Sequence, residues 1–516
     1  MAKEHEFFIE NFLNMDSTKA YMGSELKAIL QKKYPLLTDN NCRKIIHDTV
    51  KNKRCNSSYP LVFEKNQYAY FSVKSVFDYK LFAENIKKYK LPLHRVIYAL
   101  ERNKGILAVE EAQKISGATL QENTHNISFE SIIKDLVLLE MATYENHNGI
   151  EYLIQNKTEK TWEDIRLYEE DLENRSLLLS LIMNWLKQTN IIDEKQLCYV
   201  GRANQYEGIK RNNEIWDAWG FSNAAGVTVD GKKYDTMVMI DYLPQHEYQG
   251  YDFLGFKERI DRVVFSTKVS KRKVLPIILS CRISPVAKLR AKENGYLYFN
   301  ILSILGENSL DVVKTFNSSV DEIERNVQEK NYNFQDKISN SLRAINKTGH
   351  DGNYGYLKGV LFEYLMLPVL QKIYGQNAII THGYKGKIEG KEFECDYLIE
   401  TETENIIVEL KGYKKGGLIL KGTYDKTLNS YPKNTVMWFL DHTFCLCDKQ
   451  LGHRKNNKIC YITTADLDTD AKNELVARKK NKPEKMECFY TYKSLLDLLS
   501  EFECKDEKKI INVFYV

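Results

Sequence analysis

Asp396, Glu409 and Lys411 have the types and spacing for phosphoryl chemistry. They lie in GKEFECDYLIETETENIIVELKGYKKGG, residues 390–417. Read at period two, Phe393, Cys395, Tyr397 and Ile399 share one face of a strand, and Ile406, Val408 and Leu410 share one face of the next. The opposite faces carry Glu392, Glu394 and Asp396, then Glu409 and Lys411. A turn centred on Glu402 and Thr403 makes partners of residues whose numbers sum to 805. Asp396 is then expected opposite Glu409, with Cβ atoms about 5 Å apart. Facing carboxylates repel unless a cation sits between them. Mg²⁺ resolves that cost, because it takes one or two carboxylates and keeps waters for a substrate phosphate. Lys411 would orient or deprotonate the attacking water, or stabilise charge on the phosphorane. The competing reading is a solvated polar face on an exposed hairpin. Against it, both strands of an α/β hairpin normally lie inside the sheet, where stray acids are expensive.

A helix should precede this hairpin, and residues 354–375 supply one. Leu357, Val360, Leu361, Tyr364 and Leu365 keep a helical period, with Glu363 polar among them. A helix acid followed by D-x₁₂-E-x-K across two strands resembles the PD-(D/E)xK, restriction-endonuclease-like nuclease superfamily, over about residues 355–465. The resemblance implies a mixed sheet flanked by helices and divalent-metal hydrolysis of nucleic-acid phosphodiesters. Carried over residue by residue, it makes Asp396 and Glu409 ligands of Mg²⁺, with Mn²⁺ able to substitute. Lys411 becomes the lysine of the motif and Glu363 the helix acid. Cys395 stands where the family's proline often does.

The elements upstream would place this site on its substrate. Residues 1–75 read as three helices and a hairpin, the order of a winged helix. Residues 7–13 and 23–34 are amphipathic, Pro35 stops the second helix, and Thr38 or Asp39 caps a third. Residues 59–73 give two β-rich runs around Glu64, Lys65 and Asn66. Arg43, Lys44, Lys51, Lys53 and Arg54 load the third helix and its exit with the charge that DNA phosphates require. The alternative is a solvated basic face on a protein–protein module. Residues 76–160 repeat the order in a more acidic, more apolar form and read as a second winged-helix-like domain.

Residues 176–317 read as an α/β middle domain, with strands expected at 233–242, 273–282 and 296–304. Its GKKYDTMVMID (231–241) echoes GKEFECDYLIE (390–400). Aligned on the glycine, Met237 falls at the Asp396 position; aligned on the apolar run, Ser280 and Arg282 fall at Glu409 and Lys411. This points to a degenerate nuclease-like copy without its acids, or to chance likeness between two hairpins. Arg202, Arg211, Asn212 and Asn213 stand beside two Trp and would serve nucleic-acid contact or a core. Residues 318–353 read as a helical linker before a nuclease domain at 354–516.

Taken together, the expected fold is multidomain: α-rich winged-helix N-terminal domains, then α/β domains, the last a restriction-endonuclease-like mixed sheet flanked by helices. The chain has 516 residues and a net charge of only +4, so DNA affinity must come from local patches. No apolar run is long enough for a membrane helix, and the start lacks a signal-peptide pattern. The 10 cysteines show no repeated C-x₂-C spacing, which fits reduced thiols in the cytoplasm. His442, Cys445, Cys447, His453 and Cys460 crowd together, but match no common zinc finger and read as buried thiols on strands. The expected function is a DNA endonuclease of restriction type acting on double-stranded DNA, dimerising if it cuts both strands. Two alternatives stand beside it: a phage-defence or mobile-element nuclease needing a partner ATPase, since no Walker A motif is present, and a non-catalytic winged-helix DNA-binding protein.

Overall fold

The computed structural model describes residues 2–119, 128–147, 149–156, 160–193, 197–200, 209–211, 213–222, 236–267, 272–375, 377–414, 416–426, 429–452 and 455–515. Arg202, Asn212, His453 and the glycine at 231 lie outside them. The chain forms two compact units, Met1–Ile301 and Leu302–Val516.

The first unit opens with α1 (Ala2–Met15), β1 (Tyr21–Met22), α2 (Gly23–Lys33), α3 (Asp39–Lys51), β2 (Cys55–Ser57) and β3 (Ala69–Ser72). The strands form an antiparallel sheet in the order β1-β3-β2. Thr38 is the cap of α3, its side chain accepting from the Asn41 N–H. Ile9 and Leu13, Leu26 and Leu30, and Cys42, Ile45 and Ile46 put one stripe of each helix into a shared core. The segment expected as the first wing strand does not pair at residues 59–62. Pro60 has no N–H for a ladder, and the Ser58 hydroxyl donates to the Leu61 carbonyl to close a turn.

Next come α4 (Tyr79–Tyr89), α5 (Leu91–Arg102), β4 (Ile106–Ala108), α6 (Val109–Ser116), α7 (Phe129–Leu138), β5 (Ala142–His147) and β6 (Ile150–Gln155). Their sheet order is β4-β6-β5. The rest of the unit is α8 (Trp162–Gln188), β7 (Cys198–Tyr199), the hairpin β8 (Ile209–Arg211) and β9 (Glu214–Trp216), β10 (Ala218–Ser222), β11 (Thr236–Tyr248), α9 (Gly250–Thr267), β12 (Lys273–Ile283), α10 (Pro285–Glu293) and β13 (Leu297–Asn300). Five of these strands form one sheet in the order β7-β10-β11-β12-β13. Its first two pairings are antiparallel and its last two parallel.

The second unit starts within the short α11 (Ile301–Leu305) and continues with α12 (Ser309–Gln328) and α13 (Gln335–Lys347), then the long α14 (Gly355–Tyr374). A three-stranded meander follows: β14 (Ile379–Ile388), β15 (Lys391–Glu400) and β16 (Glu404–Lys411). Beyond it lie β17 (Leu418–Ile419), α15 (Val436–Trp438), a π-helical turn at Phe439–Phe444, α16 (Cys445–Leu451), β18 (Asn456–Thr463), β19 (Asp466–Leu467), α17 (Thr469–Ala477), β20 (Phe489–Tyr490), α18 (Tyr492–Glu501) and α19 (Lys505–Phe514). The main sheet has the order β14-β15-β16-β18-β20, antiparallel through the meander and parallel beyond it. β16 is buried from Glu404 to Leu410, as a central strand covered on both faces must be.

The strand expected around Cys445 and Cys447 is helical instead. Phe439, Leu440, Thr443, Phe444 and Cys447 are buried at spacings of three and four, a helical stripe that a short apolar run hides. Cys445 is exposed while Cys447 and Cys460 are buried.

Candidate active site

The β15–β16 register places the acids. Tyr397 pairs with Val408 and Ile399 with Ile406, so partner numbers sum to 805 and the turn spans residues 401–404. Asp396 and Glu409 stand one step beyond the last paired residues. There the Asp396 carboxylate accepts the backbone N–H of Leu410 at 2.5 Å. That bond pins Oδ2 at the end of β16, beside the Glu409 side chain.

Glu409 is only 7% exposed, and the Lys411 ammonium is 2.6 Å from its carboxylate. Burial pushes the Asp396 carboxyl well above the usual carboxylate range, and Glu409 beside it pushes further. Lys411 opposes that rise, and Glu363 adds to it from α14. Burial pulls the Lys411 ammonium down, but Glu409 and Asp396 more than offset it, so its pKa lies above that of a free lysine. The fold therefore gathers Asp396, Glu409, Lys411 and Glu363 within electrostatic reach of one another.

Three features hold this arrangement. The end of β16 is clamped to β18, where Thr463 donates its hydroxyl to the Lys411 carbonyl at 2.9 Å and Thr464 donates its N–H to the same oxygen at 3.2 Å. Gly412 lets this strand end approach α14, because a Cβ there would lie 2.6 Å from the Phe362 Cβ, next to Glu363. On the helix, the Glu363 carboxylate meets His382 Nε2 at 3.2 Å, and its carbonyl accepts the Tyr397 hydroxyl at 3.1 Å. His382, Thr463 and Thr464 escape a reading of the sequence, since each is brought in by a strand pairing or a helix crossing.

Among the described residues, no group of three or more His, Cys, Asp or Glu side chains is arranged to hold a metal ion. The site offers two strand carboxylates, the number with which Mg²⁺ is commonly held while retaining waters. A further observation fits such a group. Tyr461, beside Glu409 in the parallel register, has a buried hydroxyl with no hydrogen-bond partner among the described residues. It lies within reach of Lys411, Glu409 and Asp396, where a bound water would satisfy it.

The basic residues expected to face DNA divide into two sets. Arg43, Lys44, Lys51 and Lys53 are exposed on α3 and its exit. Arg54 is committed to α1: its guanidinium reaches Glu10 at 2.7 Å and Glu6 at 3.7 Å, and lies 3.8 Å over the Phe7 ring. Arg211, read as a nucleic-acid contact or a core residue, stacks 3.8 Å over the Trp219 ring. Among the described residues, no helix is long and apolar enough to cross a membrane.

No protein-family model and no curated protein matches the chain. Among solved structures, a repair endonuclease from Pyrococcus abyssi matches 31% of this chain and 64% of its own, at 10% identity and a TM-score of 0.18. The complex of EndoMS with double-stranded DNA matches 30% of this chain and 62% of its own, at 9% identity and a TM-score of 0.18. The chain thus spans less than two thirds of the length of either, and a likeness this slight assigns it no activity.

Proposed function

We propose that this chain is a divalent-metal-dependent DNA endonuclease whose cleaving centre is Asp396, Glu409 and Lys411, with Glu363 as an accessory acid. The observation that supports it most is the pinning of Asp396 by Leu410, which holds two carboxylates together at the end of a strand pair and, among the described residues, leaves the other Asp396 oxygen without a hydrogen bond. Asp396 and Glu409 would hold Mg²⁺, or Mn²⁺ in its place. Such an ion supplies Lewis-acid activation of the scissile phosphate and a water of lowered pKa.

The chain's own groups have separate tasks. Lys411, ion-paired to Glu409, presents an ammonium to a non-bridging phosphate oxygen and stabilises the charge that grows there. The Tyr461 hydroxyl, buried and without a hydrogen-bond partner among the described residues, would orient the attacking water. Glu363, steadied by His382, adds negative charge at the helix side of the site. In the reaction the water oxygen forms a bond to phosphorus while the bond to the 3′ oxygen breaks, leaving a 5′-phosphate and a 3′-hydroxyl. Arg43, Lys44, Lys51 and Lys53 on the first module would bind backbone phosphates and position double-stranded DNA. Restriction-type specificity would then arise from recognition by that module and cleavage by the second unit.

The test is incubation of the full chain with supercoiled plasmid and Mg²⁺, followed by mapping of the ends. Asp396→Asn or Lys411→Met should abolish cutting while DNA binding persists. Parent-like cutting by either variant would sink the assignment.

A further inference from the structure

The first unit contains a second set of acids that the proposed chemistry does not use. Its sheet, β7-β10-β11-β12-β13, repeats the pairing pattern of β14-β15-β16-β18-β20: two antiparallel steps, then two parallel ones. Each is preceded by a long helix, α8 or α14, and each parallel step follows a helical crossover. β10 and β11 therefore stand where β15 and β16 stand.

The register carries the likeness to individual residues. Ala218 pairs with Ile240 as the last step of the β10–β11 ladder, as Tyr397 pairs with Val408. One step beyond lie Asp217 and Asp241, in the places of Asp396 and Glu409. Asp217 accepts the backbone N–H of Tyr242, the residue after Asp241, at 2.8 Å. Asp396 accepts that of Leu410, the residue after Glu409, in the same way. Strand pairing thus corrects the alignment expected from the sequence echo. Met237 lies on β11, and Ser280 and Arg282 on β12, so none of the three holds an acid's position. The copy kept its acids, and Leu243 replaces the lysine of the E-x-K pattern.

Those acids are neutralised from within. The Lys114 ammonium, carried by α6, lies 2.9 and 3.0 Å from the two Asp217 oxygens and 3.3 Å from the Tyr242 carbonyl. Asp241 gives one oxygen to Arg259 at 2.5 Å and the other to the Tyr248 hydroxyl at 2.7 Å. Lys114 lines both the cavity of about 90 Å³ beside Asp217 and the smaller one of about 10 Å³ beside Asp241. Burial pulls this lysine's pKa down, yet Asp217, Asp241 and Glu111 together keep it above the ordinary value.

We infer that the first unit holds a second core of the same design in which Lys114 takes the place of the divalent cation, so that this core is locked and the chain has one cleaving centre. The cation position rests on the reading of Asp396 and Glu409 above; the shared topology and register do not. A buried acid pair needs a positive partner, and a lysine with fixed geometry meets that need without leaving a coordination site for substrate. The lock also fastens α6 to the acid edge of the sheet. A single chain then cuts one strand per binding event.

Iron-directed scission tests this on the full-length parent chain. Fe²⁺ replaces Mg²⁺, and ascorbate with peroxide cuts the backbone next to bound iron. Cuts are expected around residues 396 and 409, and none around 217 and 241. Cuts at 217–241 would overturn the locked core. Absence of cuts at both places would remove the metal reading of Asp396 and Glu409, and the lock is then decided by heat. Lys114→Met should lower the melting temperature by about 6 °C or more, since it leaves buried Asp217 without its cation while Asp241 keeps Arg259. Adding Asp217→Asn should restore about half of that loss. An unchanged melting temperature in Lys114→Met overturns the proposal.

Discussion

Asp396 Oδ2 accepts the backbone N–H of Leu410 at 2.5 Å, which ties the carboxylate to the strand that carries Glu409 and Lys411. The bond compensates part of the burial cost of the acid, and Lys411 compensates more. What remains is repulsion from Glu409, which a proton on Asp396 or a cation held between the two acids would relieve.

Asp396→Asn keeps an oxygen for the Leu410 N–H and removes the charge. Catalysis should be lost, yet the metal-free chain should melt at the same temperature or a few degrees higher, because two buried acids no longer repel. Asp396→Ala loses the hydrogen bond as well and should melt lower. Calorimetry in chelator separates the two, and a lower melting point for Asp396→Asn would refute a strained acid pair.

Gly412→Val should be more damaging than its exposure suggests. The new Cβ would lie 2.6 Å from the Phe362 Cβ and push the end of β16 from α14. The expected loss is about 1–3 kcal/mol of stability with a marked fall in cutting. Because the crowding involves the Phe362 backbone-proximal atom, Phe362→Ala should rescue little; full rescue would show that only the ring is crowded.

If Glu363 is a supporting acid, as proposed, its loss should be graded. Glu363→Gln should lower the cleavage rate by about 10–100-fold, the range seen when a group supporting metal ligands is removed. The fall should appear in single-turnover rates at saturating DNA. Complete inactivation, equal to that of Asp396→Asn, would promote Glu363 to an essential ligand.

The basic residues of the first module should behave as two classes. Lys44→Ala, Lys51→Ala and Lys53→Ala should each weaken DNA binding and flatten its salt dependence by about 0.9 in log–log slope for each phosphate that is no longer neutralised. Arg54→Ala should chiefly lower the melting temperature, because its guanidinium is held by Glu10 and Glu6. Fluorescence anisotropy across a salt series, run beside thermal melts, distinguishes them.

Glu111 sets an acid limit on the first unit. Burial alone would raise its pKa, but Arg175 and Lys114 outweigh burial and hold it at about 2, against 4.5 for the free group. A folded pKa below the unfolded one contributes stability that is full above the unfolded value and lost as pH falls through the folded one. The melting temperature should therefore fall between about pH 5 and pH 2. In Glu111→Gln this limb should be flatter; an identical profile would remove Glu111 from the acid response.

The parts of the fold set by near neighbours are legible in the residues alone. Period-two alternation located β15 and β16, and a turn at residues 401–404 set their register, so the relation of Asp396 to Glu409 was readable in advance. Helical spacing found α14 with Glu363, and Thr38 marked the start of α3. These features depend on turn chemistry and side-chain period, which act over a few residues. The same logic fails at residues 444–447, where a short apolar run fits a strand or a buried helix equally well.

Tertiary structure alone decided which charges meet. Lys114 and Asp217 stand 103 positions apart, and no spacing rule joins them; α6 must pack on the edge of a sheet before the ammonium finds its acid. Likewise the counterpart of Asp396 is Asp217, one residue before β10, and not Met237 of the GKKYDTMVMID segment, because strand pairing rather than sequence echo defines equivalent positions. Charges are satisfied by whatever the fold brings within a few ångströms, and that neighbourhood is a property of packing.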